Sequence, residues 1–209
     1  LVFSAQFVSL GLGILLGVYA AQNPNGLSSL FVNMLSLFGY AAPVFWTGIL
    51  LLIAFSLYIP IFPVAGMRDV TIESDNFFVH ALDIVRHLFL PMITLASIFL
   101  AYYSRLCRAS MLEVLGADFV RTAKAKGLSQ RDILMKHALK NSLSPVITFA
   151  GLSFSAVVSG AILVETVYSW PGLGTLAFNS IIARDTPVLL GILIFSTLMV
   201  TVGNLLTDM

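Results

Sequence analysis

Long apolar runs separated by short polar segments dominate this chain. No Asp, Glu, Lys, Arg or His precedes Arg68, so the first 67 residues carry no charged or histidine side chain. A single helix of that length would measure about 100 Å, whereas the hydrocarbon core of a membrane is about 30 Å thick. The stretch therefore crosses a membrane more than once. A cluster of turn-forming residues at 22–26, which contains Pro24, predicts the first break.

The same pattern predicts an all-α, polytopic membrane protein with about five transmembrane helices. The predicted spans lie near residues 1–20, 42–60, 88–104, 143–164 and 188–206. Residues 30–40 are apolar but short, and either lie along the interface or extend the second span. The chain begins inside an apolar run, with no initiator Met and no basic signal-peptide region, so we expect a fragment of a longer protein.

Composition agrees with a membrane location. The chain of 209 residues is 58% hydrophobic and 10% charged, with a mean hydropathy of +0.97. These values exclude a disordered chain and a nucleic-acid-binding domain, and they disfavour an ordinary cytosolic enzyme. One cysteine, Cys107, excludes an internal disulfide and a cysteine-based zinc cluster, and is expected to be a small packing residue.

Charge is distributed unevenly between the polar segments. Residues 105–141 carry a net charge of +5, whereas residues 68–86 carry −2 and residues 165–185 carry −1. Because Lys and Arg are retained on the cytoplasmic side, the +5 segment is predicted to be cytoplasmic and the other two external. Alternation then puts the first residue outside, so a protein with a cytoplasmic N-terminus would need one more span upstream.

The +5 loop is predicted to form a helical hairpin. Asp118 is expected to cap a first helix that runs to about Lys126, and Gly127 to stop it in the left-handed conformation. Ser129 with Asp132 resembles a capping box for a second helix over about 130–140. Asn141 and Pro145 are expected to end that helix and to start the next span. From the residues alone, a basic amphipathic hairpin resting on anionic lipid headgroups is equally plausible.

Two separated motifs resemble one family. Residues 118–129, DFVRTAKAKGLS, and residues 137–145, HALKNSLSP, are similar to the EAA loop of ATP-binding-cassette (ABC) importer permeases, most closely the dipeptide, oligopeptide and nickel branch. Ala123 and Gly127 match the pattern, whereas Arg121 and Thr122 replace its Glu and first Ala, and the proline comes later, at Pro145. Residues 164–174, VETVYSWPGLG, and 183–187, ARDTP, resemble the last external loop of the same branch.

The resemblance implies a type I ABC importer permease fold, with six spans in the full chain and a single permease domain over 1–209. Its cytoplasmic coupling loop would be 105–141 and its external loops 61–87 and 165–187. The implied function is to form half of a pathway for di- and oligopeptides across the bacterial inner membrane. The implied partners are a second homologous permease subunit, two cytoplasmic ATPase subunits, an extracytoplasmic substrate-binding protein and membrane lipid, without nucleic acid.

The resemblance also assigns residues to two candidate sites. The ATPase-coupling set is Asp118, Arg121, Thr122, Ala123, Lys124, Lys126, Gly127, Leu128, Ser129 and His137. The external gate or binding-protein contact is Glu165, Tyr168, Trp170, Pro171, Gly172 and Gly174. Glu165 is expected either to bind a peptide's amino terminus or to sit in headgroup water. Tyr168 and Trp170 suit a headgroup-level or partner surface, and the alternative for this loop is an interfacial turn without a partner.

No catalytic or metal site is expected in this chain. It contains no Gly-x-x-x-x-Gly-Lys-Ser/Thr loop, so ATP and Mg²⁺ would bind the partner ATPases, and the chain would hold no cofactor and be no enzyme. His80, His87 and His137 lack metal-ligand spacing, and the first two are expected to be interfacial. Alternatives that stay open are a nickel or other small-solute ABC permease, an ion-gradient-driven secondary transporter, and a membrane-anchored structural or signalling protein.

Overall fold

The apolar runs fold into helices in a computed structural model. It describes residues 1–72, 76–158 and 161–208, without the side chains of 154–158 and 206–208. Glu73 and Asp75 of the predicted acidic external loop lie outside the described residues. Every regular element within the described residues is a helix, which confirms the predicted fold class.

Ten α-helices and two π-helical turns follow one another in the described residues. They are α1 (Val2–Gln22), α2 (Leu27–Ala41), α3 (Val44–Leu52) with a π-helical turn at Ile53–Tyr58, α4 (Phe77–Leu115), α5 (Asp118–Ala125), α6 (Gln130–Asp132) with a π-helical turn at Ile133–Ala138, α7 (Leu139–Val158), α8 (Ile162–Val167), α9 (Leu173–Ala183) and α10 (Thr186–Asp208).

Three of these helices, α1, α4 and α10, are long and apolar enough to cross a membrane. A fourth span results if α2 and the helical segment Val44–Tyr58 count as one broken span. The predicted span at 143–164 is not one regular helix, because Ala161 has φ −94° and ψ 52° between α7 and α8. Residues 159–160 of that span lie outside the described residues.

Helix α4 is the longest element and differs most from its prediction. It extends over 39 residues, about 58 Å, whereas the sequence predicted a span over 88–104 only. Between Pro91 and Gly116 the chain has neither Gly nor Pro, so the helix continues past Arg105 into the predicted cytoplasmic loop. It ends at Leu115, and the N–H of the next residue, Gly116, donates to the carbonyl of Glu113 at 3.1 Å.

The chain forms two compact units, of which the first comprises residues 1–6, 42–96 and 153–209. In this unit the rings of Phe62 and Phe89 stack with their centroids 4.5 Å apart. The backbone N–H of Asp69 donates to Oδ2 of Asp83 at 2.7 Å, and Nδ1 of His87 lies 3.1 Å from Oδ1 of Asp83. Asp83 and His87 are both buried within the chain, and the interfacial depth expected of His87 stays a prediction.

The second unit comprises residues 7–41 and 97–152. Helices α1 and α4 approach closely there, because a Cβ on Gly17 would lie 2.6 Å from Cβ of Cys107 and 2.9 Å from the carbonyl oxygen of Ser104. Cys107 is fully buried in a core with Tyr103 and Met111, as expected of a packing residue. This core positions the start of the hairpin described next.

Candidate functional site

The basic hairpin is built from α5, a glycine turn and α6. Helix α5 begins at Asp118, and the preceding Ala117 is the N-cap with extended backbone and no side-chain cap bond. The prediction that Asp118 caps the helix is therefore wrong by one residue. Asp118 is instead the first helical residue, where its carboxylate still stabilises the positive end of the helix dipole. Oδ1 of Asp118 lies 3.4 Å from Nη1 of Arg121.

Gly127 ends α5 as predicted. Its φ is +75°, in the left-handed region. The N–H of Gly127 donates to the carbonyl of Lys124 at 3.0 Å, and the N–H of Leu128 donates to the carbonyl of Ala123 at 3.3 Å, which together form a Schellman motif. A Cβ at Gly127 would meet nothing within 4 Å, so backbone conformation rather than space requires glycine here.

Ser129 begins the second arm of the hairpin. Its hydroxyl oxygen accepts from the N–H of Asp132 at 3.1 Å, and its hydroxyl donates to Oδ2 of Asp132 at 2.6 Å. Nζ of Lys136 lies 2.6 Å from Oδ1 of the same carboxylate. The hydrogen bonds from Lys136 and Ser129 hold the pKa of Asp132 below its usual value. The N-cap that the sequence predicted at Ser129 is confirmed. The Asp132 carboxylate bonds to the Ser129 hydroxyl and to Lys136.

The second arm continues directly into α7. The π-helical turn at Ile133–Ala138 joins α6 to Leu139–Val158, and Pro145 lies inside that helix. The expectation that Asn141 and Pro145 end the arm is wrong. One proline removes one backbone hydrogen bond, whereas Val146 and Ala138 are fully buried in the core beside it, so packing holds the helix together.

The two faces of the hairpin differ in exposure. Ala123 is 5% exposed and packs with Val120 and Ile133 inside the chain's own core, so its side chain is not available to a partner. His137 is half-buried. The outward side, called the hairpin face below, consists of exposed side chains: Phe119, Arg121, Thr122, Lys124, Lys126, Leu128 and Met135.

Phe119 and Met135 were not among the predicted site residues. They are 45% and 52% exposed, beside the basic side chains. For Phe119 the sequence contains a signal, because this large apolar residue falls beside the stripe of Val120 and Ala123 and not on it. The hairpin face therefore combines cations with large apolar side chains, a mixture suited to contact with protein.

Glu165 in the predicted external loop is a structural residue of the chain itself. It is 3% exposed, and its Oε2 accepts from the N–H of Thr175 at 2.8 Å and from the Thr175 hydroxyl at 2.9 Å. Helix α9 has Gly172 as its N-cap, which offers no side-chain oxygen, and Glu165 supplies the missing acceptor. A side chain this buried does not sit in headgroup water, whereas the alternative, contact with a peptide amine, stays a prediction.

Two glycines make room for this carboxylate. A Cβ on Gly172 would clash with the carboxyl group of Glu165, and a Cβ on Gly174 would lie 2.9 Å from Cα of Ile162. Gly174 is buried and helical, so it provides close approach between α8 and α9. The proline before them, Pro171, is exposed.

Tyr168 and Trp170 are buried, contrary to the expectation of a headgroup-level or partner surface. They are 2% and 7% exposed. The Tyr168 hydroxyl donates to the carbonyl of Gly48 at 3.0 Å and shares a 2.9 Å hydrogen bond with Thr94. Burial raises the pKa of Tyr168. Thr175, Thr94 and Gly48 were missed, and only Thr175 lies near enough in sequence to have been found.

The arrangement offers binding surfaces rather than reaction chemistry. Among the described residues there is no group of three or more His, Cys, Asp or Glu side chains that would hold a metal ion. The two candidate sites are an exposed basic hairpin and a turn, predicted to be external, whose acid and aromatic side chains make contacts within the chain.

Comparison with known proteins agrees with both motifs. A family model described as "binding-protein-dependent transport system inner membrane component" matches residues 13–209. The chain is 36% identical, over all of its length, to the oligopeptide transport system permease protein AppB of Bacillus subtilis. It is 42% identical to the di/tripeptide transport system permease protein DppB of Pseudomonas aeruginosa over 91% of its length.

A third relative is the dipeptide transport system permease protein DppB of Haemophilus influenzae, 42% identical over the whole chain. The chain spans 64%, 61% and 66% of the length of these three relatives, in that order. The comparisons therefore concern somewhat less than two thirds of a complete relative.

Proposed function

Because the chain belongs to the family of binding-protein-dependent transport system inner membrane components, we propose that it is a permease subunit of a bacterial ABC importer for di- and oligopeptides. It would form half of the translocation pathway in the inner membrane. The observation that carries the proposal is the agreement between the family match over 13–209 and the exposed basic hairpin at the predicted coupling loop. The names of the relatives supply the substrate class.

In this proposal the hairpin face docks into a groove on a cytoplasmic ATPase subunit. Lys124 and Lys126 form no ion pair with any described residue, so both cations are available to acidic groups of a partner. Exposed Phe119, Leu128 and Met135 would supply the apolar centre of that contact. ATP and Mg²⁺ would bind the two ATPase subunits, and a second homologous permease would complete the pathway.

Coupling would follow because the second arm of the hairpin continues directly into α7. The Ser129 cap, the π-helical turn and α7 form one uninterrupted helical run to Val158. A displacement of a docked hairpin would therefore move the start of a membrane helix as one body. Closure of the ATPase pair on ATP would thereby be converted into alternating access of the pathway.

The external segment would act at the mouth of the pathway and face the substrate-binding protein. Its shape would be set by the Glu165–Thr175 contact and by the buried Tyr168, so that the binding protein meets a rigid surface. Exposed Pro171 and the exposed residues of α9 are the side chains offered there.

A bacterial strain that lacks this chain tests the substrate class. We expect loss of ATP-dependent uptake of labelled dipeptides and oligopeptides, restored by the complete gene, with nickel uptake unchanged. Loss of nickel uptake with normal peptide uptake would instead assign the chain to a nickel importer. Uptake that continues after ATP depletion but stops with an uncoupler would identify an ion-gradient-driven transporter.

A further inference from the structure

A cavity of about 490 Å³ lies within the unit formed by residues 7–41 and 97–152. Its size falls in the range of small-molecule sites, about 300–1,000 Å³. Helices α2, α4 and α7 line it, and neither candidate site described above contains any of its lining residues: Ser36, Tyr40, Ala101, Tyr102, Arg105, Leu106, Ala109 and Phe149.

Three aromatic rings form one wall of the cavity. Tyr40 and Tyr102 meet edge to face with centroids 5.6 Å apart, and Tyr102 stacks on Phe149 at 5.6 Å. The hydroxyl of Ser36 is already engaged, since it donates to the carbonyl of Val32 at 2.7 Å and lies 3.0 Å from the hydroxyl of Ser104. The wall is thus aromatic and carries two phenol groups.

Arg105 is the one charged side chain that the described part of the chain places at the cavity. It is exposed, and it makes no hydrogen bond or ion pair with any described residue. The neighbouring Arg108 differs, because its Nε donates to Oγ of Ser29 at 2.9 Å and its Nη2 donates to the carbonyl of Pro24 at 3.3 Å. An exposed arginine that lines a cavity and has no partner among the described residues can bind an anion.

We propose that this cavity binds the carboxylate end of a peptide in transit. The proposal rests on the proposed function. The Arg105 guanidinium donates two parallel N–H groups to the carboxylate oxygens, and the rings of Tyr102 and Phe149 pack against the C-terminal side chain. Among the described residues, no acid lines the cavity, so the site selects the carboxylate end and not the ammonium end. The phenol groups of Tyr40 and Tyr102 hydrogen-bond to each other, and their oxygens can still accept from a peptide N–H, a contact that a lipid acyl chain does not make.

Protection of a cysteine reporter tests the proposal in the complete transporter. Ala109 lines the cavity and is exposed, so Ala109→Cys in a Cys107→Ala background reports its occupancy. Inside-out vesicles give a thiol reagent and the dipeptide Ala-Phe access from the proposed cytoplasmic side, without the binding protein. We expect Ala-Phe to slow labelling of Ala109→Cys, and Ala-Phe amide, which lacks the carboxylate, to require about tenfold higher concentration.

Two variants assign that difference to Arg105. Arg105→Gln should remove the advantage of the carboxylate over the amide, whereas Lys140→Gln, which removes an exposed cation outside the cavity, should retain it. A normal labelling rate of Arg105→Gln without peptide shows that the helix is intact. Three results would each overturn the proposal. They are equal protection by both peptides in the reporter strain, no protection by either peptide, and protection that follows the phosphatidylglycerol content of the vesicles instead of the peptide.

Failure of the site and failure of the proposed function give different results. Normal peptide uptake by cells together with an unprotected reporter disproves the site alone. Peptide uptake that persists when the chain is deleted disproves the proposed function itself.

Discussion

Glu165 shows at the residue scale how a charge in a loop becomes an internal cap. Its Oε2 satisfies the N–H and the hydroxyl of Thr175 at the start of α9. Glu165→Gln keeps the shape but removes the charge, and should destabilise α9 by about 1–3 kcal/mol, the usual cost of losing charge-assisted hydrogen bonds. Hydrogen exchange of the α9 amides in the purified transporter measures this, with Glu113→Gln, an exposed acid, as the control.

A double-mutant cycle separates this contact from general damage. If the carboxylate acts through Thr175, the effects of Glu165→Gln and Thr175→Ala are less than additive. Fully additive effects would mean that the two residues stabilise the segment independently.

Asp132 gives the hairpin a dependence on pH. Lys136 and Ser129 lower its pKa in the folded state, so the ionised form stabilises the second arm at pH values above the usual aspartate pKa of about 3.9. That stabilisation is lost as the pH falls through the lowered folded-state pKa. Hydrogen exchange of residues 130–138 should therefore accelerate below about pH 4, and Asp132→Asn should abolish this acid-dependent change. An identical pH profile in the variant would contradict the assignment.

Residues whose roles depend on local geometry could be predicted, and residues whose partners are distant could not. Gly127 and Ser129 act through neighbours within five positions, and the structure confirms both predictions. Tyr168 instead bonds to Gly48, 120 positions away, and to Thr94, 74 positions away. No local pattern encodes those contacts, so the sequence suggested an exposed Tyr168.

At the scale of elements, the packing of the two hairpin arms depends on a small residue. Ala123 is buried between Val120 and Ile133. Ala123→Leu should force the arms apart at a cost of about 1–3 kcal/mol, the usual penalty for overpacking a core. Thr122→Leu, one position away on the exposed side, is the matched control and should leave the hairpin intact. Protease resistance of residues 105–141 in detergent compares the two variants.

The angle between the arms depends on the left-handed turn at Gly127. Any non-glycine residue there adopts an unfavourable φ, at a cost of about 1–2 kcal/mol, and asparagine tolerates it best. Gly127→Val should therefore insert normally into the membrane but lose transport and substrate-stimulated ATPase activity, whereas Gly127→Asn should retain much of both. Normal uptake by the Val variant would disprove the proposed coupling role.

Helix ends were harder to predict than helices. The apolar runs correctly indicated α1, α4 and α10, because membrane spans require long apolar segments. The continuation of α4 to Leu115 and of the second arm through Pro145 depends on packing around Met111 and Val146, which composition does not reveal. The signals for helix ends at Asn141 and Pro145 were therefore overridden by tertiary contacts.

At the scale of the whole molecule, burial changes the meaning of the charge distribution. Two acids counted in the predicted external segments, Asp83 and Glu165, are buried and hydrogen-bonded within the chain. The segments that are predicted to be external therefore present less negative charge than the sequence suggests. The predicted orientation is unaffected, because it depends on Lys and Arg, and most basic residues of the 105–141 segment are exposed.

Cysteine accessibility tests that orientation with two exposed positions. Val70 is 86% exposed, and Gln130 is exposed on the hairpin. In a Cys107→Ala background, a membrane-impermeant maleimide is added to intact spheroplasts. It should label Val70→Cys and should not label Gln130→Cys. Inside-out vesicles should give the reverse, because the +5 segment would then face the reagent. The opposite pattern would place the basic hairpin outside, where no ATPase could meet it, and would remove the physical basis of the proposed coupling. If both positions are labelled only after detergent is added, partner subunits shield the loops. The same experiment on the chain expressed without its partners would then report the orientation.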